Sequence, residues 1–312
     1  MKYIITEKDS GKTVKEILKN ELCLSAAHIK HLKFIENGIT LNGVHATVRK
    51  TVQSGDVLAL ATEDTQDGER LTPTDIKLDI IFEDELMVIP NKPPFMPTHP
   101  SHLHHGDTLA DALAFRYKEQ NLPFVFRPIN RLDRNTSGLT LIARNRVSAS
   151  KLSASMRDGK VKKQYLAILD GELEDDEGYI ETYITRTEQS IIVRRVCSAD
   201  EGGDFAITRY KTLLRANGHT LALAVPVTGR THQLRVHFAH LGCPISGDDM
   251  YGQEDERISR HALHALKLML PHPEDGRELE IFAPPHDDMK NFIIKVFGEY
   301  DESLFSSDFG LN

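Results

Sequence analysis

The chain has 312 residues, 40% hydrophobic and 27% charged, an ordinary globular balance that fits one large domain or two and argues against long disordered spans. The opening MKYIITEKDSGK has no apolar run behind a basic start, and the longest clean apolar run, near Leu221 to Val227, is far short of a membrane span, so neither a secretory signal nor a membrane partner is expected. Cys23, Cys197 and Cys243 are scattered without a CxxC pair, which argues against a disulfide framework and fits a reducing, cytoplasmic setting.

In chain order, residues 1–60 read as a small unit. Val14, Ile17 and Leu18 recur at helical spacing. Ser25 is placed to cap a second helix carrying Ile29 and Leu32. Asn42-Gly43 is a hairpin signal, and Ser54-Gly55-Asp56 is a second turn before a strand over Val57 to Leu60. Residues 61–75, ATEDTQDGERLTPTD, are acidic and aperiodic and read as a linker. A larger domain follows over residues 76–300. Two strands flank Glu83-Asp84 as a hairpin. DTLADALAFRYKEQ reads as a helix with Asp107 as its cap and Leu109, Leu113 and Tyr117 on one face.

Further along, Thr136-Ser137-Gly138 reads as a tight turn before a buried strand over 139–143. KKQYLAILDGEL is a strand ending at Gly171, and TLALAVPVTGR alternates Leu221, Leu223, Val225 and Val227 on one face. THQLRVHFAHLG is a helix with Leu234, Phe238 and Leu241 inward, stopped by Gly242. Residues 301–312 read as a loose tail. Strands outnumber helices and many connections look like hairpins. The larger domain is therefore expected to be α+β, a mixed, largely antiparallel sheet with flanking helices.

Net charge is −8, which argues weakly against a nucleic-acid partner, but its distribution is uneven. Residues 127–163 hold ten Lys or Arg and two acids, whereas residues 61–90 hold two bases and nine acids, so one basic face on an acidic molecule is expected. Within RPINRLDRNTSGLTLIARNR, five arginines surround a single acid, Asp133. Neighbouring cations favour the charged form of a carboxylate. Held there, a negative oxygen suits attack or proton abstraction on an anionic substrate. A structural Arg–Asp pair at a turn accounts for this stretch equally well.

Other polar clusters point elsewhere. His99, His102, His104 and His105, and again His232, His237 and His240, have no CxxC pair beside them and no i, i+4 pair, so loop roles are expected rather than zinc; His232 could shape the loop it sits in. Asp248, Asp249, Glu254, Asp255 and Glu256 read as a solvated loop. No PCxxC with HxE, the mark of a zinc deaminase, occurs, and the Asp133 turn offers no second acid of the kind a glycosidase uses.

Two resemblances bear on these residues. The helix–helix–strand pattern of residues 1–60 resembles the RNA-binding module first described in ribosomal protein S-four, except that SAAHIK has Ala26 and Ala27 where a Ser-Arg pair is usual. Lys30, Lys33, Arg49 and Lys50 remain for phosphate contacts. NKPPFMPTHP, RLDRNTSGL, KKQYLAIL, TGRTHQLRVHFAHLGCPISGDDMYG and HALHALKLMLPHP, spread over residues 76–285, closely resemble the RluA family of RNA pseudouridine synthases.

That resemblance implies an enzyme that isomerises uridine in structured RNA, ribosomal RNA before transfer RNA, without metal or other cofactor. It implies Asp133 as the catalytic carboxylate, Tyr165 packed on the target base and Arg230 paired with the carboxylate. Arg131 would fill the gap left by an extruded base, and Leu234 would floor the uracil pocket. Arg127, Arg134, Arg144, Arg146, Lys160, Lys162 and Lys163 would hold phosphates. The chain departs from the family pattern at Asn130, where His is usual, and at Pro94-Phe95, where a small residue and glycine are usual. A monomer is expected. The rival reading is a non-catalytic RNA-binding or ribosome-associated protein on the same fold. The set Asp133, Tyr165 and Arg230 speaks against it, because a protein that only binds RNA has no use for a carboxylate facing a basic surface.

Overall fold

The computed structural model describes residues 2–61, 71–101, 103–306 and 309. The chain begins with strand β1 (Lys2–Ile4) and helix α1 (Val14–Glu16), which runs on as a π-helical turn over Ile17–Glu21. Helix α2 (Ala26–Leu32) and strands β2 (Ile39–Leu41), β3 (Val44–His45) and β4 (Val57–Leu60) complete the first unit. Ser25 caps α2 as its sequence suggests, its Oγ accepting from the His28 N–H at 3.1 Å. The four strands pair antiparallel in the order β1-β4-β2-β3. Val14, Ile17, Leu18, Ile29 and Leu32 are buried on this sheet, each contributing about 1.5–3 kcal/mol of apolar burial. Val147, from the second part of the chain, joins the same core.

The second part is built on one eleven-stranded sheet. Its strands are β5 (Asp79–Glu83), β6 (Met87–Lys92), β7 (Ser137–Leu139), β8 (Ile142–Ala143), β9 (Lys162–Asp170), β10 (Glu177–Thr187), β11 (Ser190–Cys197), β12 (Asp204–Ala216), β13 (His219–Pro226), β14 (Leu263–Pro271) and β15 (Glu278–Phe282). The order is β11-β10-β12-β13-β9-β14-β7-β6-β5, with β15 on β14 and β8 on β6. Every pairing is antiparallel except β7 with β14, so the sheet is mixed as expected. Helices α3 (Leu109–Glu119), α4 (Arg146–Arg157), α5 (Gln233–His240) and α6 (Asp287–Phe297) flank it. Among the described residues no helix is long and apolar enough to cross a membrane.

Several expectations are corrected. Thr108, not Asp107, caps α3: its Oγ1 accepts from the Asp111 N–H at 3.2 Å. Ser137 and Gly138 belong to β7 rather than to a turn. Gly138 has φ +109° and lies so close to β14 that a Cβ would stand 2.3 Å from the Ala265 carbonyl oxygen, which only glycine permits. Both faces of β13 are buried over Thr220–Val225, so its alternation understates its burial, and Val227 lies beyond the strand and is exposed. Leu241 is also exposed. Half of the linker expectation falls on residues 62–70, outside the described residues, but its end is anchored: the Thr72 N–H donates to Asp111 Oδ1 at 2.8 Å. The tail is not loose over Glu302–Phe305, a 3-10 turn that buries Phe305 in the main core.

Candidate active site

Asp133 lies in the loop between residue 128 and β7, on the wall of a cavity of about 830 Å³, a size that suits a nucleotide. The same cavity is lined by Arg131, Tyr165, Arg230 and Leu234, expected to face the base or the acid, together with Arg134, Lys162 and Lys163, expected to hold phosphates. Tyr165 and Leu234 are 8% and 6% exposed, which leaves an apolar surface beneath an acid that is 34% exposed. Burial, and next the negative charge of Asp133, push the Tyr165 hydroxyl well above its ordinary pKa, so it stays protonated.

The loop is fixed by its backbone carbonyls. Thr98 Oγ1 donates to the Leu132 carbonyl at 2.9 Å, and Lys92 Nζ donates to that of Arg134 at 3.1 Å. Arg260 Nη1 donates to that of Asn135 at 3.2 Å, and the Thr136 N–H closes a turn on that of Asp133 at 3.1 Å. Lys92 and Arg260 are both essentially inaccessible. Burial, then repulsion from Arg260, lowers the Lys92 ammonium to about 7, while Asp133 acts in the opposite sense. Arg260 is held by two bonds to Asp288, at 2.6 and 3.0 Å. Asn130 ties the loop's base, its Oδ1 accepting from the Leu141 N–H at 2.7 Å. Asn130, where His is usual in the family, therefore supplies a hydrogen bond that anchors the loop.

The cation nearest the acid is not the expected one. Arg230 precedes α5 and turns away: its Nε donates to the Phe205 carbonyl at 3.0 Å, and Nη1 stands 3.8 Å from Asp204. Arg235, inside α5, has Nη1 3.6 Å from Asp133 Oδ2, and His232 Nε2 lies 3.8 Å from the same oxygen. Arg235 is buried and doubly bonded to Asp248, both distances 2.7 Å. Asp248 also accepts from the N–H groups of Met250 and Tyr251, at 3.0 and 3.2 Å. It is fully buried, so it does not belong to a solvated loop. His232 begins α5 with φ +58°, and its Nδ1 is 2.8 Å from the Tyr251 hydroxyl. Burial lowers its pKa, with Asp133 opposing.

The other expected residues separate into two groups. Arg131, Arg134 and Lys160 are exposed on the basic face, as are Lys30, Lys33, Arg49 and Lys50 on the first unit. Arg127 lies partly buried with Nη1 donating to the Val125 carbonyl at 3.2 Å, and Arg146 begins α4. Arg144 is withdrawn from the basic face: it bonds the Asp84 carbonyl, stands 3.9 Å from Glu83 and covers the Tyr117 ring. Of the histidines, His102 lies outside the described residues. His104 Nδ1 stands 2.6 Å from Asp107, and His237 is engaged by Thr208 and Thr182, at 2.9 and 3.0 Å. The one metal-like grouping among the described residues, Asp170, His219 and Asp255, has the Arg257 guanidinium bonded to both His219 and Asp255, so a cation of the protein's own already serves it.

A carboxylate, a buried ring and a buried arginine close to it, and exposed arginines on the same loop make a pocket suited to a nucleotide. The family described as RNA pseudouridylate synthase matches residues 86–240 of this chain. The Bacillus subtilis (strain 168) protein named uncharacterized RNA pseudouridine synthase YjbO is 34% identical over 282 residues, spanning 90% of this chain and 98% of that protein. The chain belongs to the RNA pseudouridine synthase family. Ribosomal large subunit pseudouridine synthase D of Pseudomonas aeruginosa is 32% identical over 271 residues, covering 82% and 83% of the two chains. Among solved structures, human RNA pseudouridylate synthase domain containing 1 superposes with a TM-score of 0.57 at 29% identity, over 67% of this chain and 84% of that one. Family membership makes this chain an RNA-modifying isomerase.

Proposed function

We propose that Asp133 is the catalytic carboxylate of this synthase and that the cavity it lines takes one uridine extruded from its stack. The isomerisation breaks the bond from ribose C1′ to uracil N1 and forms a bond from C1′ to C5. The C5 hydrogen leaves as a proton and N1 gains one, so no atom is gained or lost overall. A single carboxylate serves the bond-breaking step, by attack on the nucleoside or removal of a ribose proton. The observation that carries the proposal is the position of Asp133: a lone acid in a cationic cavity, backed by Arg235 and adjoining the buried face of Tyr165.

In this reading Arg235, rather than Arg230, orients the carboxylate, and Arg230 contacts RNA at the rim. Tyr165 packs on the uracil and Leu234 floors the pocket. Extrusion costs a few kcal/mol, which stacking on Tyr165 and insertion of Arg131 offset. Arg134, Lys160, Lys162 and Lys163 hold phosphates, positioning without reading sequence. The first unit, with Lys30 and Lys33 exposed, acts as an S-four-type RNA-binding module. The relatives named for the large ribosomal subunit favour ribosomal RNA as substrate, in a monomeric, cytoplasmic enzyme.

The test is Asp133→Asn. Pseudouridine mapping of RNA from cells lacking this gene, treated with either protein, is expected to show modification by the wild type and none by the variant, with RNA affinity kept within about threefold. An active Asn variant removes Asp133 from the chemistry.

A further inference from the structure

Phe95 is at odds with its backbone. It has φ +63°, the left-handed region that bulky side chains rarely occupy and glycine occupies freely. Its side chain is 42% exposed, although the next residue, Met96, is buried. A glycine or asparagine would suit this backbone better. The backbone by itself therefore gives no reason to favour an aromatic side chain here.

The position of the ring supplies one. Lys92 Nζ donates to the carbonyls of Pro93 and Met96, at 3.0 and 2.8 Å, and so clasps both ends of the turn that displays Phe95. The same ammonium donates to the Arg134 carbonyl at 3.1 Å, so the Met96 and Arg134 carbonyl oxygens are no more than about 6 Å apart. Just beyond Phe95, Pro97, Thr98 and His99 line the Asp133 cavity, and Thr98 ties this segment to Leu132. A partly exposed aromatic residue thus sits in the segment bonded to the loop that carries Asp133, next to the residues that line its cavity, and Arg131 and Arg134 on that loop are also exposed. Exposed aromatics interleaved with arginines are how proteins hold unpaired nucleotides, because every base has a face on which a ring can stack.

We infer that Phe95 is a stacking platform for an unpaired base neighbouring the extruded uridine, so that this enzyme favours targets in loops or bulges over uridines inside helices. The inference rests on the functional reading above. Backbone strain is maintained where the surrounding structure over-determines it, and here the buried Lys92 does so. Stacking on one ring is worth about tenfold in affinity.

The experiment measures initial rates of pseudouridine formation on total RNA from cells lacking the gene, at limiting and at saturating RNA, for wild type, Phe95→Gly and Phe95→Trp. Phe95→Gly is expected to fold with an unchanged or higher Tm, because glycine accepts the left-handed backbone. Its rate should fall about tenfold at limiting RNA and less than about twofold at saturation. Phe95→Trp should restore the limiting rate. Wild-type protein that forms no pseudouridine would overturn the functional reading and the stacking role with it. An active wild type with a Phe95→Gly variant of equal rate at limiting RNA would overturn the stacking role alone. So would a variant that loses rate equally at both concentrations with a lower Tm, since that marks a structural residue.

Discussion

Asp248→Asn tests the arrangement behind the acid. Asp248 is fully buried and accepts two bonds from Arg235, at 2.7 Å each, and two more from the backbone of Met250 and Tyr251. Asparagine keeps the shape but removes the charge, and it turns an amide N–H₂ toward a guanidinium that is itself 5% exposed. Uncompensating a buried ion pair costs about 3–5 kcal/mol. At roughly 2–4 °C per kcal/mol for a domain of this size, Tm should fall by about 10 °C. Arg235 would then have Asp133, now 3.6 Å away, as its nearest acid and would draw that side chain inward. A misplacement of about 1 Å at a reacting group costs on the order of 100-fold in rate. The Asp248 carboxyl lies below the ordinary carboxylate range: burial alone would raise it, and the bonds and charge of Arg235 outweigh that. A carboxyl depressed in the folded state stabilises fully above its unfolded pKa of about 4, and this stabilisation is lost as pH falls through the lower folded value. The Tm gap between wild type and variant should therefore be widest above about pH 4 and narrow below it. Thermal melts across pH and rate measurements on the same preparations check this. A variant that melts with wild type and keeps its rate would refute the claim that this pair places the acid.

Two further predictions separate neighbouring cations. Arg235→Ala should lower the rate at saturating RNA by about 100-fold or more, whereas Arg230→Ala should mainly raise KM, by less than about tenfold; the opposite ranking would mean that Arg230 swings onto Asp133 when RNA binds. Lys30→Ala with Lys33→Ala should weaken RNA binding and flatten the slope of log affinity against log salt by about 1.5–2, read by filter binding from low to moderate salt; an unchanged slope would mean that α2 does not face the phosphates.

The long patterned segments were legible because hydropathy states their burial directly. The apolar run of β9, the alternation of β13 and the 3.6-residue period of α5 each report a surface that folding covers. The carboxylate in the RLD turn was legible for a related reason: one acid among five arginines is a local pattern. Arg230 and Arg235 were not separable in that way. They stand five residues apart in TGRTHQLR, on either side of the left-handed backbone at His232 that leads into α5, and the first lies near Asp204 and the second near Asp133. The acids after Gly247 read as solvated because acids usually are. Asp248 and Asp255 are the exceptions, the first bonded to Arg235 thirteen residues earlier in the chain, the second 10% exposed and bonded to Arg257.

The same reasoning explains why the loop's support stayed hidden. Lys92 and Arg260 are charged residues in a chain where charge ordinarily means surface, and what they hold in the loop are backbone carbonyls, which have no sequence signature. Yet a buried ammonium or guanidinium has to find acceptors. The carbonyls of a turn that presents an acid outward are suitable ones, because those carbonyls point the other way. Charge around Asp133 is therefore divided by depth: Arg131 and Arg134 stay at the rim, while Lys92, Arg235 and Arg260 lie behind the loop and hold it. Rim cations are free to follow an RNA backbone. Those behind the loop are held by bonds of 2.6–3.2 Å to backbone carbonyls and to the Asp248 and Asp288 carboxylates, which fixes the backbone that presents the acid. Preorganisation of this kind is what a single carboxylate requires if it is to act on a base that leaves its stack only briefly.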